Sequence, residues 1–162
     1  MMYPHQDLTH KIIAAALEVH RNLGPGLLEA VYLVCLGLEF KASGLSYQGE
    51  VDIPILYKNE TTNRNFRIDC LVENKIILEL KSVETILPVH EAQLLTYLKL
   101  TGLHVGLLIN FNVPVLKHGI RRRILSSNGH SLGLQKMNID KRRGDRDAEA
   151  QRSPFFERSA QH

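Results

Sequence analysis

The chain has 162 residues, 44% apolar and 23% charged, which suits one globular domain with a substantial core and leaves too little chain for two. A formal charge of +3 and a pI of about 8.9 permit contact with nucleic acid without demanding it. No apolar run approaches a membrane span, MMYPHQDLTH lacks the apolar stretch of a secretory leader, and Cys35 and Cys70 have no CxxC partner, so a reducing cytoplasm is expected and a zinc or disulfide framework is not.

From Asp7 to Asn22, Ile12, Ile13, Ala16, Leu17 and Val19 recur at helical spacing until NLGPG stops the helix. A second helix is predicted from Leu27 to Ala42 with Leu28, Val31, Cys35, Leu36 and Leu38 inward and Gly44 as its stop, so that the two form a hairpin. SYQGEVDIPILYK alternates like a half-buried strand, and Pro54 places that strand at an edge or a bulge. NETTNRN reads as the following turn. FRIDCLV and KIILELKSV read as a hairpin joined by a short polar link at Glu73 and Asn74. Pro88 suits the first turn of a helix running to Leu100 and ending at Gly102. HVGLLINF is a buried strand, and HGIRRRIL a final short strand or helix. These elements predict an α/β fold: a small mixed sheet of four or five strands with three helices packed on it, over residues 1–125. Residues 126–162 read as a charged, flexible tail, because the segment from 140 onward has almost no aliphatic residues to offset the entropy of ordering; Phe155 and Phe156 are its only sticky feature and are assigned no role.

The run IILELK sets Glu79 and Lys81 among Ile and Leu. Residues two apart on a strand share a face, so these two project together while Leu78 and Leu80 face away. Whether Asp69 joins them depends on the hairpin register. A three-residue link pairing Val72 with Ile76 sets Asp69 opposite Glu79 and Arg67 opposite Lys81; a two-residue link pairing Val72 with Lys75 turns Asp69 to the other face. Two facing carboxylates repel, so they need a cation between them or a raised pKa, and hard oxygen ligands suit Mg²⁺ or Mn²⁺. With Lys81 positioning a water or neutralising charge on the phosphorus, the set makes a phosphodiesterase site. On the residues alone, a cross-strand ladder of ion pairs on a solvated face is the alternative.

Asp69, nine intervening residues, Glu79-Leu80-Lys81, then a helix bearing Gln93 and Tyr97, resemble the PD-(D/E)xK nuclease superfamily with the QxxxY helix of its RecB-like branch. GPGLLEAVY, with Gly26, Glu29 and Tyr32, followed by FRIDCLVENKIILELKSVE and PVHEAQLLTYLKLTGLHVGLLINF, is similar to the prokaryotic GxxExxY proteins of that superfamily, over residues 8–125. The resemblance implies a restriction-endonuclease-like core and a metal-dependent nuclease. Asp69, Glu79 and an early-helix carboxylate at Glu29 would hold Mg²⁺ or Mn²⁺, and Lys81 would assist the attacking water. Ile68 stands where the superfamily's namesake proline would be.

Glu29 also suits a first helical turn whatever the function, and Tyr32, three positions on, reads as a half-buried tyrosine whose hydroxyl finds a partner. Gln93 and Tyr97 share a helix face with His90, away from Val89, Leu95 and Leu98, and could bind a phosphate or a base; His90 reads as a surface histidine. Arg121, Arg122 and Arg123 are either a solvated terminus or a phosphate contact. The expected partner is nucleic acid, DNA ahead of RNA, with no membrane. A domain this small is expected to act as a homo-oligomer, borrow specificity from a protein partner, or read nucleic-acid structure. The competing functions are a non-catalytic nucleic-acid-binding module and a protein-interaction subunit on the same fold.

Overall fold

The structure is a computed structural model and describes residues 3–126. Apart from Ser126, the expected tail, with Phe155 and Phe156, lies outside the described residues. The elements are α1 (Gln6–Leu23), α2 (Glu29–Ala42), β1 (Tyr47–Tyr57), β2 (Glu60–Val72), β3 (Ile76–Lys81), α3 (Pro88–Thr101), β4 (Val105–Asn110) and β5 (Ile120–Ile124), the last entered through a 3₁₀ turn at Leu116–Gly119.

The five strands lie side by side in chain order. Every neighbouring pair is antiparallel except β3 with β4. A parallel pair needs a crossover, and α3 supplies it, so α3 packs on one face of the sheet and the α1–α2 hairpin on the other. On the hairpin side Ile12, Ala16, Tyr32, Leu36 and Phe40 meet Leu78, Leu80, Leu107 and Ile109. On the other side Leu94, Tyr97 and Leu98 meet Leu71, Ile77 and Leu108. β3 and β4 are covered on both faces, which is why IILELK and VGLLIN are nearly unbroken apolar runs.

Three sequence expectations are corrected. α2 buries Tyr32, Leu36, Gly37 and Phe40, whereas Leu28, Val31 and Leu38 are exposed and Cys35 is half-buried. Apolar residues occur all around this helix, so periodicity could not select a face; the rings of Tyr32 and Phe40, one above the other with Leu36, bury more area than Val31 or Leu38 could. On α1, Leu17 is likewise exposed. NETTNRN is not a turn: the chain reverses at Lys58 and Asn59, both with left-handed φ, and Thr61 already pairs with Leu56. β1 is an edge strand and its register shifts between Pro54 and Leu56, as a proline without an N–H requires.

Candidate active site

The β2–β3 link has three residues, with left-handed φ at Glu73 and Asn74, and Val72 pairs with Ile76. That register sets Asp69 opposite Glu79, but the ladder ends one step earlier, at Cys70 and Leu78. On the other side, β1 pairs Gly49 with Cys70 and Val51 with Ile68, passing over Glu50, whose φ is +52°. β2 also turns over here. Cys70 and Val72 pack toward the helical hairpin, whereas Phe66 and Ile68, at the same parity, pack toward α3. An undistorted strand keeps such residues on one face. At this break the Asp69 carboxylate accepts from the Leu80 amide at 2.7 Å, taking the place of a strand partner. Arg67 does not reach Lys81; it pairs with Asp52 at 3.0 Å on β1.

Glu79 is 3% exposed. Its Oε1 accepts from Lys81 Nζ at 3.0 Å, and its Oε2 is buried and meets no hydrogen-bond donor among the described residues. Burial first, and Asp69 second, push its carboxyl up to about 7. Asp69 is also raised, chiefly by burial; the Leu80 amide, Lys81 and a hydrogen bond shared with the Glu79 carboxyl oppose the rise, and Glu29 adds to it. Burial acts to lower the Lys81 ammonium, but Glu79, Asp69 and Glu29 outweigh it and hold its pKa above the ordinary lysine value. These groups therefore form one electrostatic unit, in which negative charge exceeds positive.

An orphaned, buried carboxylate oxygen beside a second, half-buried carboxylate suits a hard divalent cation, which would satisfy Glu79 Oε2 and relieve the repulsion. The expected three-carboxylate set is not assembled: among the described residues no three His, Cys, Asp or Glu side chains stand close enough to hold a metal ion. Glu29 accepts instead from the Ser82 amide at 3.2 Å. The fit is thus to Asp69 and Glu79, with Glu29 at the margin.

Residues 6–123 match the family model of the PD-(D/E)XK nuclease superfamily. The chain belongs to the PD-(D/E)XK nuclease superfamily. No curated protein matches it. Among solved structures, one described as "Crystal structure of SSO0001" is similar at 19% identity and a TM-score of 0.42, covering 75% of this chain; the matched part spans 61% of that chain.

The other residues singled out in the sequence fall out unevenly. Gln93 Nε2 donates to Tyr97 Oη at 2.6 Å, so the two are neighbours as their spacing predicts. Tyr97 is not on a separate polar stripe, however. It is 2% exposed, packs edge-on to Phe66, and its hydroxyl is pushed up to about 12 by burial and by Glu79. Its neighbour Leu98 is buried too, whereas Val89 is exposed. Tyr97 thus holds the half-exposed Gln93 from beneath. His90 is not a free surface group: its Nδ1 accepts from the Leu87 amide and caps α3.

The arginine triplet is split by the alternation of β5. Arg122 donates to Thr9 Oγ1 at 2.9 Å and lies over the Tyr3 ring, and Arg123 pairs with Glu91 of α3. Arg121 is exposed and, among the described residues, donates only to the carbonyls of His118 and Ile120. The three guanidinium groups therefore do not form one patch: Arg122 and Arg123 are engaged by other elements, and Arg121 is exposed.

Two residues with no sequence signal of their own complete the region. Ser82, next after Lys81, bonds Glu29 and Leu27. Asn110, paired with Lys81 across β3 and β4, clamps Val83 by accepting from its amide at 3.1 Å and donating to its carbonyl at 2.8 Å. A polar residue closing the apolar run VGLLIN is the only hint the sequence offers for Asn110.

Proposed function

We propose that this protein is a divalent-metal-dependent nuclease of the GxxExxY type, hydrolysing phosphodiester bonds in nucleic acid, DNA ahead of RNA. The observation that carries the reading is Glu79 Oε2: a buried carboxylate oxygen that meets no hydrogen-bond donor among the described residues, beside Asp69 and two residues from a lysine already bonded to the other oxygen. A structural ladder of ion pairs would satisfy that oxygen, because an unpaired buried charge costs more than the pair returns.

Asp69 and Glu79 would hold Mg²⁺ or Mn²⁺. When bound, the metal supplies Lewis acidity toward the scissile phosphate and a water of lowered pKa. Asp69 keeps its orientation through the Leu80 amide, which donates to its Oδ2. Lys81, held protonated by three carboxylates, neutralises charge as it builds on the phosphate oxygens or orients the attacking water. Gln93 offers its amide to a phosphate or water, held by Tyr97, and Arg121 is an exposed basic residue available to the backbone of the substrate.

Incubation of the full chain with single- and double-stranded DNA and RNA, in Mg²⁺ or Mn²⁺, tests the reading beside Asp69→Ala and Lys81→Ala. Cleavage by the wild type that both substitutions abolish is the expected result. Cleavage that survives both sinks the assignment. Salt-dependent binding without cleavage in either metal, unchanged in Lys81→Ala, establishes the binding module instead.

A further inference from the structure

Tyr32 and Ser82 take no part in the chemistry above, yet their bonds converge on the one acidic residue of the region that the sheet does not supply. The loop joining α1 to α2 turns through Gly24 at φ +68° and Gly26 at φ +93°, angles that L side chains rarely adopt. Those angles fold the loop back over α2. The Tyr32 hydroxyl donates to the Gly24 carbonyl at 2.7 Å and accepts from the Leu27 amide at 3.2 Å. Its ring is buried and stacks on Phe111, just after β4, at 4.2 Å and 9°, so the hydroxyl is anchored to the sheet.

On the other side of the loop, Ser82 Oγ donates to the Leu27 carbonyl at 2.6 Å, and the Ser82 amide donates to Glu29 Oε1 at 3.2 Å. Both backbone groups of Leu27 are therefore taken, one by Tyr32 and one by Ser82, two residues before Glu29 begins the helix. Asn110 fixes Val83 behind Ser82, so the strand exit and the loop are locked against each other. A tyrosine serving only to fill the core would need its ring and one partner for its hydroxyl; this hydroxyl bridges two loop residues.

We infer that Tyr32 is a positioning residue: through Leu27 and Ser82 its hydroxyl fixes the Glu29 carboxylate at the end of β3, where that charge strengthens the hold of Asp69 and Glu79 on a divalent cation. The effect on the cation rests on the nuclease reading; the positioning does not.

Amide hydrogen exchange on the metal-free full chain reads the positioning directly. Tyr32→Phe keeps the ring on Phe111 and deletes the hydroxyl. Ser82 amide exchange is expected to rise roughly tenfold, as in Glu29→Ala, while Leu80 and Leu107 amides keep wild-type rates. In a calorimetric titration with Mn²⁺ alone, each variant should bind roughly threefold to tenfold more weakly. The double variant should bind no more weakly than Glu29→Ala, because both changes act through one carboxylate. Unchanged Ser82 protection in folded Tyr32→Phe overturns the inference, and so do additive losses of Mn²⁺ affinity. If the wild type takes up no Mn²⁺, the nuclease reading and the cation half of the inference fall together, and the exchange rates still decide the positioning half. If Tyr32→Phe does not fold, Ser82→Ala, which removes only the bond to the Leu27 carbonyl, carries the same expectations.

Discussion

The Asp69 carboxylate takes the hydrogen bond of the Leu80 amide at the point where β2 and β3 separate. One side chain thereby does two jobs: it satisfies a backbone donor that the diverging strand has abandoned, and it holds a carboxylate beside Glu79. Strand divergence and site formation are one event, and the left-handed Glu50 on β1 marks its other edge.

Substitution of Asp69 should therefore separate folding from chemistry. Asp69→Ala leaves the Leu80 amide buried and unpaired, at a cost of about 1–3 kcal/mol. Asp69→Asn keeps an acceptor oxygen and should lose less than about 1 kcal/mol, yet lose metal binding as completely as the alanine variant. Chemical denaturation beside Mn²⁺ calorimetry checks both; equal stability of the two variants contradicts the role given to the Leu80 bond.

The metal-free protein should become less stable as pH rises through the weakly acidic range. Glu79 has a folded-state pKa of about 7 against an ordinary value of 4.5, so between those values the native state holds a proton that the unfolded chain has released. Stability therefore falls with pH across that window and stays lower above it, by about 3 kcal/mol from this group, with Asp69 acting in the same direction. Glu79→Gln should flatten the fall. Thermal melts from pH 4.5 to 8 decide the matter, and a wild-type profile that rises across the window contradicts it.

Mn²⁺ should raise the thermal midpoint more at pH 8 than at pH 5.5. Ligation requires a deprotonated Glu79, and at the lower pH its proton competes. The pH dependence of the shift should be lost in Glu79→Gln along with the shift itself.

Within the arginine triplet, effects should divide by strand face. Arg122→Ala removes the Thr9 bond and the Tyr3 contact and should cost about 1–2 kcal/mol of stability without altering nucleic-acid binding. Arg121→Ala should leave stability unchanged and reduce the salt dependence of binding by about one phosphate contact. Denaturation curves and binding titrations over a range of salt separate the two; a reduced slope for Arg122→Ala would count against this division.

The sequence shows the helix and strand order well, because the signals that set it are local. Gly24 and Pro25 stop α1, Pro88 opens α3, Gly102 closes it, and alternation marks β1. The turn at NETTNRN was illegible for the same reason: Asn and Thr suit both turns and edge strands, and only pairing with β1 decides between them. Tyr97 read as polar from its helix face, but the hairpin's Phe66 comes over to cover it.

The sequence by itself determined the α/β class and nominated Asp69, Glu79, Lys81 and Gln93 as a candidate set, since periodicity carries the first and residue type with motif order the second. Only the tertiary structure decided the register that sets Asp69 beside Glu79, which face of α2 is buried, and where Glu29 is tied. Each of those depends on contacts between segments far apart in the chain: Glu29 meets the amide of Ser82, 53 residues away, and no local period records such a meeting.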